Sequence, residues 1–257
     1  MKKLIYRVRP CNPYTIDELQ HSYLWFSRPN GFRGDDMDAN IGAFVTDTPA
    51  IEKGIRVSNP DYPLDKWYEL MAHTGICCFT TKLPSSSAIG KYPRCSTARG
   101  ICIEYDREKL SNFFENHRQY PLHPTFQKVV YDEEPTKLET CDEWSILWGK
   151  YDDGTKLYRT IPEILHSHPR EFDKFIFKLL TRINSQYSKQ HEERIILGGR
   201  NIPSHDDVEG YKIEIPSECI NRIIVYPKVS KKFKEQLSSI KGLERKIVSI
   251  SNVGTHE

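Results

Sequence analysis

Residues 185–197, SQYSKQHEERIIL, set Gln190, Glu192 and Glu193 where a helical pattern gives way to a β-rich run. Carboxylates in the last turn of a helix face the negative end of its dipole, at about 0.3–1 kcal/mol each, so the position is not neutral for an acid. If the chain leaves the helix near Lys189 and becomes extended, Gln190, Glu192 and Arg194 share one face and His191 and Glu193 take the other. A Q-x-E at the head of a strand then offers one fixed carboxylate, Glu192. Such a carboxylate can stabilise the oxocarbenium character a ribose gains as its C–N bond breaks, by charge and through the 2′-hydroxyl. A solvated acidic pair is the plain alternative.

Other residues suit the same or a rival chemistry. Arg7 and Arg9, on one face of an alternating LIYRVR, offer two planar forks that match phosphate oxygens, or solvated charges on an edge strand. CFTT places Thr80 where a hydroxyl could support an acid, beside Phe79, whose ring could stack on a flat heterocycle; strand propensity alone also explains both. Asp35, Asp36 and Asp38, with Glu104 and Asp106, could hold magnesium for phosphodiester cleavage. Against that reading, no acid stands in a D/E-x-K arrangement at a strand end, and D-D-x-D in a Gly-rich turn is commonly a solvated loop. His117, His123, His166 and His168 have no metal-ligand spacing with cysteines, and nothing sets a thiol beside a histidine, so no metal site is expected.

These residues need elements to hold them. The runs LIYRVR, YLWFSRP (ending at Pro29), GICCFTT, ICIEY, FQKVVY, RIIL, YKIEIP, NRIIVYP and RKIVSIS read as strands. TIDELQHS reads as a helix with Thr15 as N-cap and Glu18 as its capping-box partner. DYPLDKWYELMAHT reads as a second helix, DREKLSNFFEN as one capped by Asp106, and VSKKFKEQLSSI as another. A stripe from Phe172 to Tyr187 at spacings of three and four predicts the clearest helix, with Pro169 in its first turn. Residues 133–170, with Trp144 and Trp148, have little periodicity. Without regular βαβ alternation the pattern predicts an α+β fold of mixed, mainly antiparallel sheets with flanking helices.

The chain has 257 residues, 38% hydrophobic and 28% charged, with a formal charge of +2. That is enough for one domain over 1–257, with no linker composition to divide it, and too little charge to argue for nucleic acid by itself. The opening MKKLIYRVRP lacks the apolar core of a signal peptide, and no apolar run is long enough to span a bilayer, so a cytoplasmic protein without membrane contact is expected. Seven cysteines, an odd number, read as reduced and mostly buried.

Arginine, hydroxyl and Q-x-E follow one another in the order found in one large branch of the ADP-ribosyltransferases, and the sequence resembles that pattern. The resemblance implies NAD as substrate, Glu192 as the acid beside the nicotinamide ribose, Gln190 positioning the acceptor, Arg7 and Arg9 on the phosphates, and Phe79 and Thr80 lining the nicotinamide pocket. From about residue 5 to 230 the chain also resembles a bacterial family of uncharacterised domains often found near phage-defence and abortive-infection genes. IYRVR, WFSRP, FRGDDMD (with one inserted glycine), RGICIEY and YSKQHEER match its motifs. Tyr187 stands for a tryptophan, Gln190 for a glutamate, and Arg94 and Ala98 for an upstream tryptophan and histidine.

The two resemblances together imply a toxin-like effector that modifies a macromolecular acceptor, RNA, DNA or protein, with an antitoxin protein as a further partner. The rival readings are a metal-dependent nuclease and a non-catalytic module, in which KKFK at 231–234 holds RNA or a protein rather than forming a solvated helix face.

Overall fold

The computed structural model describes residues 3–29, 74–92, 95, 100–116, 126–133, 147–150, 153, 156–158, 177, 180–198 and 210–250. Within them the fold is α+β, with a mixed, mostly antiparallel nine-stranded sheet and a few helices. The strands are β1 (Leu4–Pro10), β2 (Tyr23–Ser27), β3 (Thr74–Thr80), β4 (Gly100–Asp106), β5 (Phe126–Lys128), β10 (Glu192–Gly198), β11 (Gly210–Glu214), β12 (Ile220–Val225) and β13 (Ile247–Ser249). Two short pairs lie apart: β6 (Val130–Asp132) with β9 (Arg182–Asn184), and β7 (Leu147–Lys150) with β8 (Lys156–Tyr158). The helices are α1 (Pro13–Gln20), α2 (Arg107–Asn116) and α3 (Lys231–Ser238).

Across the middle the strands run β5, β10, β3, β1, β4, β12, β13, antiparallel except for the last pair. The sheet divides on one side of β3. Ser27 of β2 pairs with Ile76 near the start of β3, and Tyr6 of β1 pairs with Thr80 at its end, so β1 and β2 diverge from one strand. One face carries the main core: Ile5, Cys77, Phe79, Ile103, Tyr105, Ile195 and Ile223 pack with Leu110 and Phe114 of α2 and Phe233 and Leu237 of α3. The other face carries a smaller apolar group, Cys102, Ile224, Tyr226 and Ile89, with Tyr6 and Val8 against it.

Several boundaries differ from the sequence expectation. Helix α1 is capped by Asn12, whose side chain accepts from the Thr15 amide, with Pro13 in the first turn; a proline there has no N–H to leave unsatisfied. Thr15 lies inside the helix, and its hydroxyl donates to the Pro10 carbonyl at 2.6 Å. Glu18, expected to fold back on the cap, turns instead toward Arg7 and Arg9. FQKVVY is two strands rather than one: β5 pairs with β10, β6 with β9, and the chain turns between them at Val129, whose amide donates to Glu192 O. The helix expected to reach Tyr187 is over by Thr181; Arg182–Asn184 is a strand and Ser185–Gln190 a 3-10 turn. Asp106 does cap α2, accepting from the Glu108 and Lys109 amides. The helix expected over 61–74 lies outside the described residues except for Thr74, which begins β3.

Candidate functional site

The head of β10 is fixed from three directions. His191 adopts the left-handed conformation, φ 47 and ψ 49, between the 3-10 turn and the strand, a region histidine tolerates better than most side chains. Its carbonyl accepts from the Thr81 amide at 3.0 Å. The Glu192 amide donates to the Tyr131 hydroxyl at 2.7 Å, and its carbonyl accepts from Val129. This turn corrects the expected extended Q-x-E. Gln190 ends the 3-10 turn, half-buried, and does not share a strand face with Glu192.

Glu192 and Arg194 do share a face, as expected. Arg194 is fully buried and donates its Nε–H to Glu192 Oε1 at 2.6 Å and an Nη–H to the Leu180 carbonyl at 2.7 Å. Glu193 points to the opposite, core face and accepts from Arg107 Nε at 3.0 Å.

Cross-strand register brings residues from five strands into one row. Glu192 is opposite Thr80, Thr80 opposite Tyr6, Tyr6 opposite Glu104, and Glu104 opposite Arg222. Directly opposed residues in antiparallel strands project to the same side, so all five belong to one face. With strands about 4.8 Å apart, Glu192 and Glu104 are separated by three gaps, about 14 Å, too far for one acid pair to flank a single glycosidic bond.

Two tyrosines outside the row stand close enough to act on Glu192. Burial pushes the Tyr92 phenol up to about 12, with the Thr80 hydroxyl acting against it and the Glu192 carboxylate adding to it. Burial likewise raises Tyr131, against its contact with the Glu192 amide. Both are therefore neutral, proton-bearing groups at pH 7. At the far end of the row Glu104 is fully buried, accepting from Arg222 Nε and Nη2 and from Asn221.

The other expected site residues lie elsewhere. Arg7 and Arg9 alternate with Tyr6 on β1 and therefore point to the face away from Thr80 and Glu192. Arg7 donates to Glu18 at 2.7 Å and to the Trp25 carbonyl of β2 at 2.9 Å, bridging the division in the sheet. Arg9 meets the other Glu18 oxygen at 2.7 Å, and burial together with Arg7 beside it holds it below the ordinary guanidinium range. Two arginines thus share one buried carboxylate, and β1 is a central strand, not an edge. Phe79 is 2% exposed and packs edge-on against Tyr105 and Phe126; a ring so enclosed offers no face to a ligand.

Asp35, Asp36, Asp38, His117, His123, His166 and His168 lie outside the described residues. Among the described residues no three acidic, histidine or cysteine side chains gather as metal ligands do, and the six cysteines there form no disulfide. No helix among them is long and apolar enough to cross a membrane. Tyr92 escaped sequence reasoning because it follows a 3-10 turn in an irregular stretch with no period, and Tyr131 because FQKVVY reads as one strand whereas the chain turns at Val129 and so changes the side it faces.

Compared with known proteins, the chain matches no family model, no curated protein and no solved structure.

Proposed function

We propose that this chain is an ADP-ribosyltransferase-like enzyme that cleaves NAD and passes ADP-ribose to a macromolecular acceptor. The observation that carries the reading is the adjacency of β10, β3 and β1. The three strands bearing the Q-x-E, hydroxyl and arginine elements come from distant parts of the sequence yet are immediate neighbours, with Glu192 directly opposite Thr80. In this scheme the C–N bond between ribose and nicotinamide breaks with its electron pair going to nicotinamide. The Glu192 carboxylate stabilises the cationic ribose, and the lone pair of an acceptor N–H or O–H forms the new bond to the anomeric carbon as its proton passes to solvent water.

Arg194 holds Glu192 in one orientation, and preorganised charge of this kind requires no rearrangement as the reaction proceeds. Tyr92 and Tyr131 stand near Glu192 as neutral phenols that can bind ribose and carboxamide oxygens, whereas the Thr80 hydroxyl donates to the Lys82 carbonyl at 3.1 Å and steadies the end of β3. Gln190, at the rim, orients the acceptor. Arg7 is engaged by Glu18 and Trp25, so its part is to hold β1 against β2; Arg222, 46% exposed at the far end of the row, is an accessible cation on the site's own face. The resemblance to domains near phage-defence genes supports a role as a toxin-like effector, for which an antitoxin protein would be a partner.

The test is nicotinamide release from NAD by the purified chain, incubated separately with cellular RNA, DNA and protein. Wild type should release nicotinamide with at least one acceptor, and Glu192→Gln should lower the rate on the order of 100-fold or more. Absence of release with every acceptor would overturn the reading.

A further inference from the structure

One stretch of the chain carries a local excess of positive charge on a well-anchored helix and turn. Residues 226–250 contain seven lysines and arginines against two glutamates, a net +5 in a chain whose total is +2. The structure fixes these cations on a rigid support. Ser230 caps α3 by accepting from the Phe233 amide, and Phe233, Leu237, Ile240 and Leu243 are buried in the main core, so that face of the segment is locked inward. Lys228, Lys231, Lys232, Lys241 and Arg245 are left exposed.

Local acids do little to neutralise them. Lys231 and Glu235 approach only to 3.9 Å, and the Glu244 carboxylate is turned back to accept from the Gly242 amide at 2.9 Å. No carboxylate among the described residues is within ion-pair distance of Lys228, Lys232, Lys241 or Arg245. The field extends further: Lys246 donates to the Ser217 and Ile220 carbonyls and Lys109 of α2 to Glu218 O, and burial together with Lys109 lowers the pKa of Lys246.

The character of this face selects among polyanions. An interfacial membrane helix inserts leucine, phenylalanine or tryptophan, and single-strand binding relies on exposed aromatic platforms. The exposed large hydrophobics among the described residues are Tyr14, Leu83, Val130 and Val248, of which only Val248 belongs to this segment, and none is on α3. A rigid surface of lysines without apolar or aromatic contacts suits a regular array of phosphates. We propose that α3 and the turn after it bind the phosphate backbone of duplex nucleic acid, without regard to sequence and independently of NAD.

The experiment is fluorescence anisotropy of labelled duplex DNA and duplex RNA with the full chain across a salt series. Five phosphate contacts predict a slope of log K against log salt of about −4.5 on DNA. The variant Lys231→Glu/Lys232→Glu/Lys241→Glu should lose at least tenfold in affinity at low salt, whereas Lys3→Glu, an exposed change elsewhere, should not. The corresponding triple alanine variant, with its urea midpoint compared with wild type, guards against a folding defect and should show an intermediate loss. Equal binding by all variants, tighter binding to single strands than to duplex, or a preference for anionic vesicles over duplex would each overturn the proposal. Because the assay contains no NAD, these outcomes are separate from the fate of the transferase reading.

Discussion

The Glu192 carboxylate receives the Nε–H of Arg194 at 2.6 Å from two residues along the same strand face, and Arg194 is itself wholly enclosed. A buried guanidinium that also donates to the Leu180 carbonyl has no freedom to follow a mobile acid; it sets where the acid is.

Arg194→Lys should therefore separate charge from geometry. A lysine keeps the positive charge but lacks the planar fork. In the nicotinamide-release assay the expected result is a fall in kcat on the order of tenfold or more with little change in KM. A change confined to KM would contradict a positioning role.

Arg7 offers the converse case. Its guanidinium ties Glu18 of α1 and Trp25 of β2 to β1, and breaking a buried pair by removing one member costs about 3–5 kcal/mol. Arg7→Met should lower the urea midpoint accordingly. Affinity for NAD in the fraction that remains folded should change little, and a selective loss of NAD binding with unchanged stability would restore Arg7 to the phosphates.

Glu104 predicts a pH dependence. Burial raises its carboxyl pKa, but the hydrogen bonds from Arg222 and Asn221 outweigh burial and hold it below the ordinary range. The folded state thus favours the ionised form. Its contribution is complete above the unfolded value, about 4.3, and is lost as pH falls through the lower folded value. Glu104→Gln should be less stable than wild type at pH 7, and urea midpoints of the two proteins should converge below about pH 4. Parallel curves would show that the carboxylate contributes nothing.

Gly210 begins β11 with almost no room above it. A Cβ there would lie 2.3 Å from the Phe26 carbonyl oxygen and 2.8 Å from the Trp25 ring. Since backbone cannot yield as a flexible side chain can, Gly210→Ala should destabilise by about 1–3 kcal/mol, read as a lowered urea midpoint. An unchanged midpoint would mean that β11 can detach from β2 at no cost.

How much of the fold and site is legible in the sequence depends on the kind of information each feature needs. The apolar runs ICIEY, GICCFTT and RIIL became β4, β3 and β10 because composition alone marks a buried strand. Alternation also put Tyr6 and Arg7 on opposite faces of β1. Alternation further forbids Phe79 and Thr80 from lining one pocket on a regular strand, a conflict present in the sequence itself. Which face of β1 matches which face of β3 and β10 is different information. It rests on the register Glu192, Thr80, Tyr6, which no local pattern encodes. The capping-box spacing of Thr15 and Glu18 misplaces the start of α1, which Asn12 caps, because the same glutamate serves the arginines of β1; the early end of the helix before β9 is missed because the apolar spacing continues through Ile183 and Tyr187 after the backbone has become extended.

The tandem acids at the head of β10 bear on how the strand finds its place. A slip of one residue would bring Glu193 opposite Thr80, so an acid would stand there in either alignment and the glutamates cannot discriminate between them. The discrimination falls to Arg194 and Ile195: in the slipped strand Arg194 would take the place of Glu193 opposite Phe79, cation against the Arg107 guanidinium, and Ile195 would replace it beside the acid. The same arginine that orients the carboxylate thus acts as a proofreader of the strand's alignment.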